Sequence, residues 1–263
     1  MKRKSNFTLV ELAIVIACVA VLMVFVIIGL AAMVIPATGM ARGRARTTEC
    51  TNNKGQLMKS MQIYACDNKG LFIYRGVRGS TPCTYAAVLT GLDGMAKQYA
   101  PGDLMVCTSA KQKLNADATN AAGILNATGT DDLTSVADAQ KGWLNESDKY
   151  GEKIYKRFGR FADSRDGKTV VYDFERTKAP GQLLIFADTF KRGSGETEAN
   201  WNFIPNDKSN GDFCVTLIHG SQTVGVFADG HAEAMDAERL KDCGTEVTVF
   251  NDHKFKKDRM SAR

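Results

Sequence analysis

The 263-residue sequence has no CxxC pair, which argues against a zinc ribbon and a thioredoxin-like redox motif. It contains no GxSxG, P-loop, GxGxxG or HExxH, so the common hydrolase, nucleotide-binding and zinc-protease signatures are missing. Charge of one sign is scarce as well. The balance is 34 Lys/Arg against 29 Asp/Glu, and Lys2, Arg3 and Lys4 supply most of the +5 excess. No nucleic-acid partner is expected from so nearly neutral a chain. No internal repeat or low-complexity tract stands out. Charged residues make up 24% and hydrophobic residues 44%, which excludes a disordered or collagen-like chain. A length of 263 residues and 28.6 kDa allows one large domain, or one domain plus a separate segment.

The separate segment is plain. Leu12 to Ile35 is a 24-residue run without a charge or a strongly polar side chain. As a helix it would extend about 36 Å, enough to cross a hydrocarbon layer of about 30 Å with some tilt. Fifteen of its residues are Val, Ile, Leu or Phe, which favour insertion by about 4 to 9 kcal/mol. A buried core helix would show a polar face over six turns, and this run shows none. A cleaved secretory signal would be shorter and would end in small residues. Here the run leads into Pro36 and then Arg42, Arg44 and Arg46. The basic leader places the N-terminus in the cytoplasm and the remainder outside. Glu11 stands at the edge of the run, where a carboxylate needs a partner. A free α-amine would serve if the chain were cut a few residues upstream.

Phe7-Thr8-Leu9-Val10-Glu11-Leu12, between a Lys/Arg leader and a long apolar helix, resembles the N-terminal motif of type IV prepilins. The resemblance implies cleavage by a prepilin peptidase between Asn6 and Phe7, and methylation of the new Phe7 amine. It makes Glu11 the carboxylate that docks each subunit into a filament. Asn6 stands where the family has Gly or another small residue. Further pieces are similar to a pseudopilin subgroup of Planctomycetes, Verrucomicrobia and Lentisphaerae: Leu30 to Ala37, Arg42 to Arg46, Cys50-Thr51-Asn52-Asn53 and Tyr64 to Leu71. That subgroup carries a C-terminal His, nine residues, then Asp-Gly, read here as His219, Asp229 and Gly230. Ala187-Asp188 matches another recurrent piece. The similarity covers about residues 1–75 and 180–236, and the stretch 76–179 matches no known pattern.

The fold class implied is α+β and pilin-like: a long N-terminal helix packed on a small antiparallel sheet. The expected organisation is a leader at 1–6, a transmembrane helix at 7–36, its extramembrane continuation at 37–70 and an exported head at 71–263. Leu57, Met61, Tyr64 and Ala65 define one helical face, with Cys50 on the same stripe. Pro36 and the glycines after it predict a kink or softened stretch. A helix stop is expected near Asp67 to Gly70. Thr81 to Leu92 could hold a short helix. Ala116 to Asp138 reads as loop or short helix, and Ser147 to Lys168 as solvated surface. Thr169–Phe174, Leu183–Ala187 and Cys214–Ile218 read as strands. Val224–Ala228 and His231–Met235 read as a hairpin closed by a two-residue Asp229-Gly230 turn.

Cys18 lies in the apolar run. Six other cysteines would meet an environment permitting disulfides, and their spacing does not choose a pairing. The pairs expected are Cys83–Cys107 and Cys214–Cys243, the second resembling the bridges of pilin C-terminal regions. His219, Asp229, His231 and Asp188 form the only chemically suggestive cluster. They could hold Ca²⁺ or another divalent metal, although structural hydrogen bonding around the hairpin is the plainer use and no cofactor is expected. A catalytic set built from Ser221, His219 and Asp229 rests on sequence proximity alone, which is poor evidence. The chain is therefore expected not to be an enzyme.

The expected function is that of a structural subunit of a type II secretion pseudopilus or type IV pilus-like filament. Its partners would be the prepilin peptidase, other pilin-like subunits and the lipid bilayer. The expected location is the cytoplasmic (inner) membrane, with a single pass and the head periplasmic or extracellular. The alternative is an anchored extracellular protein that binds glycan or another ligand through 76–179, with Trp143, Tyr150, Tyr155 and Phe158 as an aromatic platform. A membrane-anchored metalloenzyme using His219 and Asp229 is a third reading.

Overall fold

The computed structural model describes residues 8–78, 81–91, 97–105, 107, 109, 122–125, 149–165, 169–192, 197–199, 202–205, 214–252 and 257–259. Two compact units divide the chain, Met1–Ala45 and Arg46–Arg263.

One helix, α1 (Leu9–Asp67), runs through both units for 59 residues. It passes Pro36 without interruption. A proline removes one intrahelical hydrogen bond but leaves those on either side, so the expected softening does not break the helix. Within the first unit, Leu9–Ala32 is long and apolar enough to cross a membrane, and none of it is buried. Within the second unit the helix becomes amphipathic. Cys50, Leu57, Met58, Met61, Tyr64 and Ala65 are buried, while Asn52, Gln56, Lys59 and Ile63 face out. That is the stripe expected from the 3.6-residue period. The helix stops where expected. Lys69 and Gly70 take positive φ, 60° and 78°, and the Gly70 amide donates to the Ala65 carbonyl at 2.8 Å, closing the last turn.

The head is α+β. Its first sheet has the order β2-β1-β5-β4, all antiparallel, from β1 (Leu71–Arg78), β2 (Thr81–Thr84), β4 (Ala162–Arg165) and β5 (Thr169–Asp173). A second sheet contains β3 (Ala122–Leu125), β6 (Leu184–Asp188), β9 (Asn202–Phe203), β11 (Thr223–Phe227) and β12 (Ala232–Met235), in the order β12-β11-β6-β3-β9. Two smaller sheets join β7 (Phe190–Arg192) to β8 (Thr197–Ala199), and β10 (Val215–Thr216) to β13 (Val249–Asn251) and β14 (Lys257–Arg259). The pairs β3–β9 and β10–β13 are parallel. The described head is thus larger and more mixed than a single small antiparallel sheet. Among the described residues three short α-helices accompany it: α2 (Tyr85–Thr90), α3 (Lys149–Phe158) and α4 (Ala237–Asp242).

Aromatic side chains fill the core. Tyr74 stacks on Tyr172 at 5.2 Å, and Phe161 meets Tyr172 edge-on at 5.7 Å. Helix α3 corrects the expectation of a solvated surface over Ser147 to Lys168. Its Ile154, Tyr155 and Phe158 are buried, because the charged residues around them occupy the outer face. Most of Ala116 to Asp138 lies outside the described residues; within it Ala122–Leu125 is a strand.

The hairpin differs in its turn. Val226 pairs with Ala232, and the Phe227 amide bonds the His231 carbonyl at 3.0 Å. The loop is therefore Ala228-Asp229-Gly230, with positive φ at Gly230 alone (96°). A three-residue loop that ends on a left-handed glycine is the next most common solution to the two-residue turn.

Gly244 marks a close approach. A Cβ there would lie 2.5 Å from Phe158 Cζ and 2.8 Å from the Gln182 carbonyl oxygen. The backbone oxygen cannot swing away. Gly244→Ala should destabilise the head by about 1 to 3 kcal/mol, measurable as a lowered denaturant midpoint at unchanged slope.

Candidate functional site

Among the described residues, two places bear on function, one in each unit. The first is the start of α1. Thr8 is the residue before the helix, and its amide and hydroxyl both donate to Glu11 Oε2, at 2.9 and 2.7 Å. The Glu11 amide returns a bond to Thr8 Oγ1 at 3.3 Å. This is a capping box, with Thr as N-cap and Glu three residues on. In the single chain the Glu11 carboxylate is thus occupied locally. Asn6 and Phe7 lie outside the described residues.

The second place is buried in the head, where four segments converge. Helix α1 brings Thr47, Cys50 and Lys54 on successive turns. The end of β6 brings Asp188, β11 begins with Thr223 and Val224, and the bend before β11 brings His219. Cys107 and Ser109 come from the segment after α2. Lys54 Nζ lies 2.6 Å from Asp188 Oδ1, with the side chains 3% and 0% exposed. It also donates to the Val224 carbonyl at 2.9 Å. Asp188 Oδ2 accepts from the Val224 amide at 2.8 Å and from Thr223 Oγ1 at 3.3 Å. Burial would push the Asp188 carboxyl up. The Lys54 charge and the His219 contact outweigh it and hold the carboxyl below the ordinary range.

The His219 ring is fully buried, with Nε2 3.5 Å from Asp188 Oδ2 and 3.5 Å from Cys107 Sγ. Its Nδ1 faces Ser109 Oγ at 3.0 Å and Thr47 Oγ1 at 3.5 Å. Burial favours the neutral ring, but hydrogen bonding to Asp188 prevails and, with Cys50, lifts its pKa to about 9. Cys107 Sγ lies 3.6 Å from Cys50 Sγ. That contact and burial push the Cys107 thiol up.

The four residues expected to cluster separate into two pairs. His219 and Asp188 meet in the buried group. Asp229 and His231 meet at the hairpin loop, Oδ1 to Nδ1 at 2.6 Å, with both side chains about two-fifths exposed. The His231 ring lies flat on Phe227 at 4.2 Å. The His219-x9-Asp229-Gly230 pattern thus spans two devices, a buried polar centre and a hairpin loop.

The expected disulfides are not formed, and all seven cysteines are reduced. Cys107 adjoins Cys50 rather than Cys83, and the Cys243 thiol donates to the Leu240 carbonyl at 2.9 Å. Cys83 and Cys214 are buried. Of the proposed aromatic platform, Tyr155 and Phe158 are core residues; Trp143 lies outside the described residues.

Sequence reasoning passed over Lys54, Thr47, Ser109 and the role of Cys107. Lys54 left a signal. It is four residues after Cys50 and three before Leu57, so it sits on the apolar stripe, where a lysine needs a buried counter-charge. Cys107 and Ser109 left none.

No family model, curated protein or solved structure matches the chain.

Proposed function

We propose that the chain is a prepilin-like subunit of a type II secretion pseudopilus or type IV pilus-like filament. A prepilin peptidase cuts before Phe7 and methylates its amine. The subunit waits in the cytoplasmic membrane as a single-pass protein, with its N-terminus inside and its head exported. It then leaves lipid for a bundle of like helices. The observation that carries this reading is the apolar stretch Leu9–Ala32, none of which is buried by the rest of the chain. So large an apolar surface requires a cover. Lipid supplies it in the stored subunit, and neighbouring helices supply it in a filament, where van der Waals packing provides the cohesion. Glu11 at the head of this stretch gives the bundle a register by exchanging its Thr8 partners for the Phe7 amine of a neighbour.

Intact-mass and N-terminal peptide mass spectrometry on protein from native membranes tests the proposal. The expected mature chain begins at N-methylated Phe7. A chain that still carries Lys2 to Asn6 would instead describe a static anchor.

A further inference from the structure

We propose that Cys50, Cys107 and His219 form a zinc-binding site inside the head, independent of how the N-terminal helix is used. The argument is geometric. The Sγ atoms of both cysteines and a ring nitrogen of His219 all lie within 4.8 Å of one another. The Cys50–Cys107 sulfur separation is 3.6 Å, and Cys107 Sγ lies 3.5 Å from His219 Nε2. A tetrahedral zinc ion with Zn–S of about 2.3 Å and Zn–N of about 2.0 Å requires a sulfur–sulfur edge of about 3.8 Å and a sulfur–nitrogen edge of about 3.5 Å. The donors therefore already stand near the corners of the polyhedron.

The surroundings suit that use. A zinc-binding imidazole usually fixes its second nitrogen on a hydrogen-bond partner. His219 Nδ1 faces Ser109 Oγ at 3.0 Å, which leaves Nε2 to point at the sulfurs. Charge balances too. Two thiolates neutralise the dication, and the adjacent Lys54–Asp188 pair is already neutral. On loading, the thiol protons and any ring proton pass to solvent, and no oxidant is consumed. Three protein donors leave a fourth position. Water can take it, while Asp188 stays paired with Lys54. The donors lie on α1, on the segment after α2 and on the bend before β11. Metal binding would therefore clamp the emerging helix to the head from inside.

The test uses the full-length protein in detergent, purified under reducing conditions and titrated with zinc or cobalt salts. One equivalent of metal per chain is expected, and cobalt should give thiolate charge-transfer and tetrahedral ligand-field bands. Cys50→Ser and Cys107→Ser should abolish those bands. Ser109→Ala should weaken binding by about 10- to 100-fold. Cys66→Ser, at an exposed cysteine, should change nothing. Cys50→His keeps a donor and should shift the cobalt spectrum rather than erase it, separating ligand loss from misfolding. Failure to bind metal, or binding unchanged in both cysteine variants, would overturn the proposal. So would a Cys50–Cys107 disulfide peptide as the main species in protein from native membranes, since those sulfurs would then be a structural bridge.

Discussion

Lys54→Met should destabilise the protein by about 3 to 5 kcal/mol, the usual result of removing one partner from a buried ion pair. The size follows from what remains. Asp188 is completely buried, and its carboxyl is held ionised chiefly by the Lys54 charge. Without the ammonium the carboxylate keeps only the Val224 amide, the Thr223 hydroxyl and His219. Pairing Lys54→Met with Asp188→Asn should recover part of the loss, because a neutral amide still accepts the Val224 N–H and no longer needs a counter-ion. Pulse proteolysis of the full chain across a denaturant series measures both variants. A loss below about 1 kcal/mol for Lys54→Met, the level of an exposed pair, would show that Asp188 is solvated or neutral in the native state.

If the chain is the filament subunit proposed, Glu11→Ala is expected to leave membrane insertion intact and to remove most filament assembly. Insertion rests on about two dozen apolar residues, and replacing one carboxylate with a methyl only makes the helix more apolar. Assembly is different. On the proposed filament reading a terminal amine in lipid is costly unless paired, so a neighbour whose Phe7 amine found no carboxylate would be penalised. Thr8→Ala separates the two roles of Glu11. It removes the hydroxyl donor to Oε2 and should cost about 1 kcal/mol of capping while sparing assembly. Membrane fractionation with shear-release of surface fibres reads both variants. Normal fibre yield from Glu11→Ala would confine Glu11 to the capping box.

The parts of the fold legible in sequence are those governed by a local period. The stripe from Cys50 to Ala65, the stop at Asp67 and the strand ending at Asp173 follow from spacing and turn chemistry. Helix α3 was obscured because Lys, Glu and Arg dominate its composition, while its buried face rests on Ile154, Tyr155 and Phe158. The hairpin was recognisable, but Asp229-Gly230 fits a two-residue or a three-residue loop equally well, and strand pairing decides between them. The polar centre was legible in fragments. His219 and Asp188 were visible as unusual residues, and Lys54 as a charge on an apolar stripe. Their meeting with Cys107 and Ser109 depends on tertiary packing that no local pattern encodes.

The contacts of that centre span long stretches of chain: 57 residues from Cys50 to Cys107, 112 from Cys107 to His219 and 172 from Thr47 to His219. Closing a loop costs entropy that rises by only about 0.6 kcal/mol per doubling, but long-range contacts slow the search for the native state. The centre can therefore assemble only after the C-terminal half of the head has been delivered. A chain truncated or stalled before His219 keeps Lys54 and Cys50 on a naked helix face with nothing to answer them. A protease or chaperone that recognises such an exposed face would thereby tell an unfinished chain from a finished one.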